Sequence, residues 1–227
     1  MKSNKYRELE KYMLLKMSDS AHDRLHVYRV LYLALDIASR EPGADMDVLI
    51  AAALLHDIGR AAQLLDLNLD HAEIGAAEAY EFLNTHGWEE KSAAHVRDCI
   101  STHRYRHNKQ PATIEAKILF DADKLDVSGA MGIARTLLYV GQIDEPLYNI
   151  RNGELVTDGA HVEAQAFLEE YNFKLRNIYG AFHTARAAEI ADSRRPAAEA
   201  FYDAFVREIE DSRVDGQKLL EEFLEEA

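Results

Sequence analysis

Leu49-Ile50-Ala51-Ala52-Ala53-Leu54-Leu55-His56-Asp57-Ile58-Gly59-Arg60 is the stretch on which the reading of this chain turns. Its first seven residues are apolar on every face of a helix, so the segment belongs in the middle of a core rather than at a surface. Two ionisable groups follow at once. A carboxylate left unpaired in an apolar interior is costly, and a metal cation is one of the few partners that satisfies an imidazole and a carboxylate together. The competing reading is a helix end that reaches solvent, with Gly59 and Arg60 letting Asp57 escape.

Outward from this helix the same periodicity continues. Four prolines and eleven glycines interrupt a sequence in which apolar residues recur at three- and four-residue spacing, which predicts an all-α fold. Helices are expected over about Tyr6 to Met17, Ser20 to Ser39, Val48 to Asp57, His71 to Thr85, Glu89 to His103 and Thr113 to Tyr139. Ser18, Asp19 or Ser20 is available to cap the second and Asp45 or Asp47 the third. Residues 141–159 hold Gly, Asp, Asn and Pro at turn spacing and predict a surface loop. Helices resume over about Ala160 to Ala191 and from Pro196 to an acidic C-terminus.

At 227 residues and 48% hydrophobic, the chain is expected to form one domain over residues 1–227. Its core would span about 18–140, with C-terminal helices of about 160–227 packed on it. The net charge of -14 excludes the broad basic surface that nucleic acids require, although a bound cation and a few Lys or Arg residues can reverse the field inside one pocket. The single Cys99 fits a reducing compartment, and the polar N-terminus resembles neither a signal peptide nor a membrane span; a cytoplasmic protein is expected.

Further candidates flank the central pair. His22 and His26 lie at i, i+4 on one predicted helix and share a face. In Asp121-Ala122-Asp123-Lys124-Leu125-Asp126, Asp123 and Asp126 share a face, whereas Asp121 points elsewhere and is free to cap or meet solvent. An EF-hand is excluded, because its Gly and distant Glu are missing and Leu125 interrupts the string. His71 and His103 each sit at a helix end, where a dipole role competes with a ligand role.

The order His26, His56-Asp57, Asp123 resembles the H…HD…D signature of the HD superfamily, and His56-Asp57-Ile58-Gly59 its HDIG form. HVYRV at 26–30, HAEIGA at 71–76, CISTH at 99–103 and DADKLDVSGAMGIAR at 121–135 are similar to blocks of the stand-alone bacterial and archaeal HD hydrolases, and residues 173–210 resemble their tail. The resemblance implies a single-domain helical bundle. It also implies a phosphohydrolase in which His26, His56, Asp57 and Asp123 bind one divalent ion: manganese, iron, cobalt, nickel or magnesium. Such an ion activates water and polarises the attacked phosphoryl group.

Arg60 and Lys124 are expected to hold phosphate oxygens, Asp126 to orient or deprotonate the attacking water, and His22 to protonate the leaving oxygen. His71 and His103 are expected to bind phosphate or shuttle protons in a one-metal enzyme, or to hold a second metal with Asp57 bridging. One metal is preferred for the branch this chain resembles. The implied substrate is a nucleotide, cleaved by a nucleotidase or a nucleoside triphosphate pyrophosphohydrolase. The six residues also resemble a di-iron HD oxygenase set, and a non-catalytic nucleotide- or metal-sensing module, possible as a homodimer, is the third reading. Arg104, Tyr105 and Arg106 are candidates for a rim around the site.

Overall fold

The computed structural model describes residues 2–17, 24–66, 68–104, 109–157 and 166–225. Within them the chain is all α apart from one small hairpin, as its periodicity implies. The helices of the first part are α1 (Lys2–Lys16), α2 (Arg24–Ala38), α3 (Met46–Leu55), α4 (Arg60–Leu65), α5 (His71–Thr85), α6 (Glu90–Ser101) and α7 (Ile114–Leu125). Then come α8 (Gly129–Gln142), strands β1 (Ile150–Arg151) and β2 (Glu154–Leu155), α9 (Phe167–Phe173) and α10 (Ala185–Glu225).

The chain forms two compact units: residues 1–126 with 182–189, and residues 127–181 with 190–227. In the first, α3 is the central element. Asp45 caps it by accepting from the amides of Asp47 and Val48, and α1, α2, α6 and α7 pack around it. Leu49, Leu54 and Leu55 are 0% exposed, each burial stabilising the unit by about 1.5–3 kcal/mol. The all-round apolar stretch of Leu49 to Leu55 is therefore buried except at Ile50, which is half-buried.

Asp70 and Thr113 cap α5 and α7 with their side chains. Asp121, which helical phase turns away from Asp123, serves as a distant cap. Its carboxylate accepts from the amides of His183 and Thr184, at 2.8–3.1 Å, and from the Thr184 hydroxyl at 2.7 Å. Those residues immediately precede α10, so a side chain from α7 satisfies amide donors at the entry to α10.

The second unit has its own core of Ile133, Val140, Phe167, Leu168, Tyr171, Leu175, Ala198 and Ile209. Four expectations are corrected. The helix expected over Thr113 to Tyr139 is two helices, because Gly129 takes φ +62° and a β-carbon on Gly132 would stand 2.2 Å from the Val127 carbonyl oxygen. The expected loop 141–159 holds the β1–β2 hairpin, closed by Asn152 and Gly153, both at positive φ, the residue pair that type I′ turns demand. And α10 runs through Pro196 instead of starting there; Pro196 is exposed, and the helix forgoes one hydrogen bond at its surface. The helix expected over Ala160 to Ala191 is, in its described part, α9, a 3-10 turn over Leu175–Gly180 and the first residues of α10, while residues 160–165 lie outside the described residues. No described helix is long and apolar enough to cross a membrane.

Candidate metal centre

Five elements of the first unit converge on one point. His26 comes from α2, and His56 and Asp57 from the tight turn that closes α3, where the Ile58 amide donates to Leu55 O and the Arg60 amide to Asp57 O. His71 opens α5, His103 follows the end of α6, and Asp123 lies in the last turn of α7. His26, His56, Asp57, His71 and His103 are all at most 4% exposed.

Their atoms fall into two groups, each within 4.8 Å: His26, His56 and Asp123, and Asp57, His71 and His103. In the first, His26 Nε2 lies 3.3 Å from His56 Nε2 and 3.3 Å from Asp123 Oδ1. Asp57 is shared. Its Oδ2 faces His26 Nε2 at 3.5 Å and His56 Nε2 at 3.7 Å, while its Oδ1 faces His71 Nε2 at 3.4 Å and His103 Nε2 at 3.8 Å.

Each ring is held from behind. His56 Nδ1 donates to Ala53 O at 2.8 Å, His103 Nδ1 to Ile100 O at 2.6 Å, His71 Nδ1 to Gln63 Oε1 at 2.6 Å and His26 Nδ1 to Asp126 Oδ2 at 2.7 Å. With the protons outward, all four Nε2 atoms face inward, the orientation that second partners impose on metal-binding imidazoles.

The charges follow from this crowding. Burial, reinforced by the Arg60 guanidinium, pushes His71 down to about 3, and burial with His56 beside it pushes His103 down to about 4. Burial also lowers His56. His26 is the exception: burial opposes its charge, but bonds to Asp123 and Asp126 push it up to about 9. Burial opposes ionisation of Asp57 and Asp123 as well, yet Arg60 and Lys124 with the surrounding imidazoles hold both well below the usual carboxylate range.

This donor set fits a divalent cation. His71 Nε2 is buried and without a hydrogen-bond partner. Neutral, with its proton on Nδ1, it turns a lone pair toward the ionised Asp57 Oδ1, and His103 does the same. A cation satisfies nitrogen and carboxylate together, and the mixture of imidazole and carboxylate suits a borderline divalent ion.

Of the other residues expected here, Arg60 Nε donates to Asp57 Oδ1 at 3.0 Å and Lys124 Nζ to Asp123 Oδ2 at 3.0 Å, so both cations border the donor set. Asp126 stands behind His26. Arg104 pairs with Asp70 at 3.0 Å. His22, Tyr105 and Arg106 lie outside the described residues. Two contributors went unread in the sequence. Arg29, which grips Asp126, lies i, i+3 from His26, and that spacing was a usable signal; Gln63 carried none, because its role exists only once α4 meets α5.

Known proteins share this arrangement of sequence. The family model for the HD domain matches residues 25–128, a span that holds all six donors. YpgQ of Bacillus subtilis, described as uncharacterized, is 31% identical over 202 residues, covering 87% of each chain. An HD-superfamily hydrolase from Bacillus thuringiensis superposes with a TM-score of 0.69 at 28% identity, over 92% of this chain and 99% of that one. The structure of B. subtilis YpgQ in complex with ADP gives 0.68 at 28% identity, over 90% and 97%.

Proposed function

This chain belongs to the HD superfamily, and we propose on that premise that it is a divalent-metal-dependent phosphohydrolase cleaving a phosphate ester or anhydride of a nucleotide. The observation that carries the reading is the convergence of four inward-facing Nε2 atoms on Asp57 and Asp123, with a cation of the protein beside each carboxylate. The ADP held by YpgQ supports a nucleotide as the ligand.

His26, His56, Asp57 and Asp123 would hold the ion, which when bound supplies Lewis acidity toward a phosphoryl oxygen and toward water. The chain's own groups do the rest. Arg60 would turn from Asp57 to meet non-bridging oxygens through its planar fork, and Lys124 would meet them as a point charge. The buried walls formed by α2, α3 and α7 would keep bulk water from competing for those contacts.

With added Mn2+, the purified protein is expected to release phosphate or pyrophosphate from members of a nucleotide panel, and Asp57→Ala to abolish the release. Activity that survives Asp57→Ala overturns the assignment.

A second reading is favoured by the two faces of Asp57, one toward His26 and His56, the other toward His71 and His103. A carboxylate so divided suits two ions rather than one, the arrangement a di-iron oxygenase would use. Metal analysis separates the readings: two irons per chain with oxygen consumption supports the oxygenase, and an exchangeable divalent ion without oxygen uptake supports the hydrolase.

A further inference from the structure

Asp126 invites a base role from its position one turn after Asp123, but its side chain faces the other way. Its Oδ2 lies 2.7 Å from His26 Nδ1, on the side of the ring opposite the donor set. Arg29 grips the same carboxylate with two prongs, Nε to Oδ1 at 2.6 Å and Nη2 to Oδ2 at 3.0 Å. Asp126 is 1% exposed. Both of its oxygens are thus engaged by His26 and Arg29, away from the donor set.

The other three site histidines rest on uncharged oxygens, those of Ala53, Ile100 and Gln63. His26 rests on a charged one. A carboxylate behind an imidazole fixes the proton on Nδ1 and strengthens Nε2 as a donor. We infer that Asp126 and Arg29 form a positioning pair that sets the tautomer and donor strength of His26, so that Asp126 acts through His26 and not on the attacking water. The inference rests on the metal-centre reading above.

The test compares Asp126→Asn and Arg29→Gln with the wild-type full chain, reading Mn2+ affinity by calorimetry, the melting temperature of the metal-free protein, and nucleotide turnover as Mn2+ is raised. Asp126→Asn is expected to weaken Mn2+ binding roughly 10- to 100-fold, with turnover recovering toward wild type at saturating Mn2+. Wild-type Mn2+ affinity in this variant overturns the inference. So does turnover that stays lost at saturation, which marks Asp126 as the base.

If Asp126→Asn does not fold, Arg29→Gln decides. A several-fold loss of affinity supports the pair, and an unchanged affinity refutes it. Wild-type protein that binds no Mn2+ at all sinks the metal-centre reading instead, a separate outcome from either.

Discussion

A β-carbon on Gly59 would stand 2.3 Å from the carbonyl oxygen of His71 and 2.7 Å from the amide nitrogen of Gly75. The last residue of the His56-Asp57-Ile58-Gly59 turn is thus a packing requirement: it lets α5 approach closely enough for His71 to share Asp57. Gly59→Ala is expected to cost about 1–3 kcal/mol or more, seen as a lower melting temperature, and to weaken metal binding by displacing His71. The charges yield a second expectation. His26 holds a proton up to about pH 9, and an ion bound through Nε2 must expel it. Mn2+ affinity should therefore rise with pH up to about 9, with close to one proton released per ion near neutrality, measurable by calorimetry in buffers of different ionisation enthalpy. The sign for stability is opposite on the two sides of 6.5. The raised pKa of His26 stabilises the metal-free fold fully below 6.5, and this is lost as pH climbs through about 9. His71 and His103, lowered to about 3 and about 4, stay neutral in the fold while the unfolded chain takes up protons, so stability is lost as pH falls below 6.5. Melting temperature of the metal-free protein should peak near pH 6.5. The candidate donors were legible because residue type and local order betray them; the partner of His26 was not, because Asp126 lies 100 residues away.

Helices were the most legible level, since an apolar face repeats at every turn whichever neighbour covers it. Where one helix stops is another matter. Apolar spacing runs across Asp126-Val127-Ser128 without a break, and the boundary between α7 and α8 is set by Gly129 and Gly132, whose missing side chains make room for Arg194 and for the Val127 carbonyl. The hairpin shows the converse: Asn152-Gly153 is a local signal strong enough to close two-residue strands, and the polar stretch around it hid it. The cap from Asp121 to α10 gives this scale its prediction. Asp121→Ala removes the acceptor for two amides and a hydroxyl and is expected to destabilise the fold by about 1–3 kcal/mol, read by denaturant titration. Because the carboxylate faces α10, Mn2+ stoichiometry should be unchanged, which separates Asp121 from Asp123 by measurement.

For the molecule as a whole, an ion held only by the folded site adds to stability by mass action. Mn2+ at about a hundredfold its dissociation constant should stabilise the protein by about 2.7 kcal/mol, and a chelator should remove that gain; a melting temperature indifferent to chelator contradicts the metal centre. The fold class and the family were readable from the chain because the donors lie in one span, residues 25–128, whose order survives in the sequence. The division of the candidate donors into two groups was not, since it depends on which oxygen of Asp57 faces which ring. The first unit also takes in residues 182–189, which the chain delivers only after the whole of 127–181. On a ribosome this imposes a delay. At roughly 5–20 residues per second, Thr184 emerges several seconds after Asp121, its partner 63 positions earlier. Through that interval every metal donor has been synthesised, yet α7 carries a carboxylate whose donors do not exist. The nascent metal unit is therefore expected to lack the cap on Asp121 until the residues just ahead of α10 arrive.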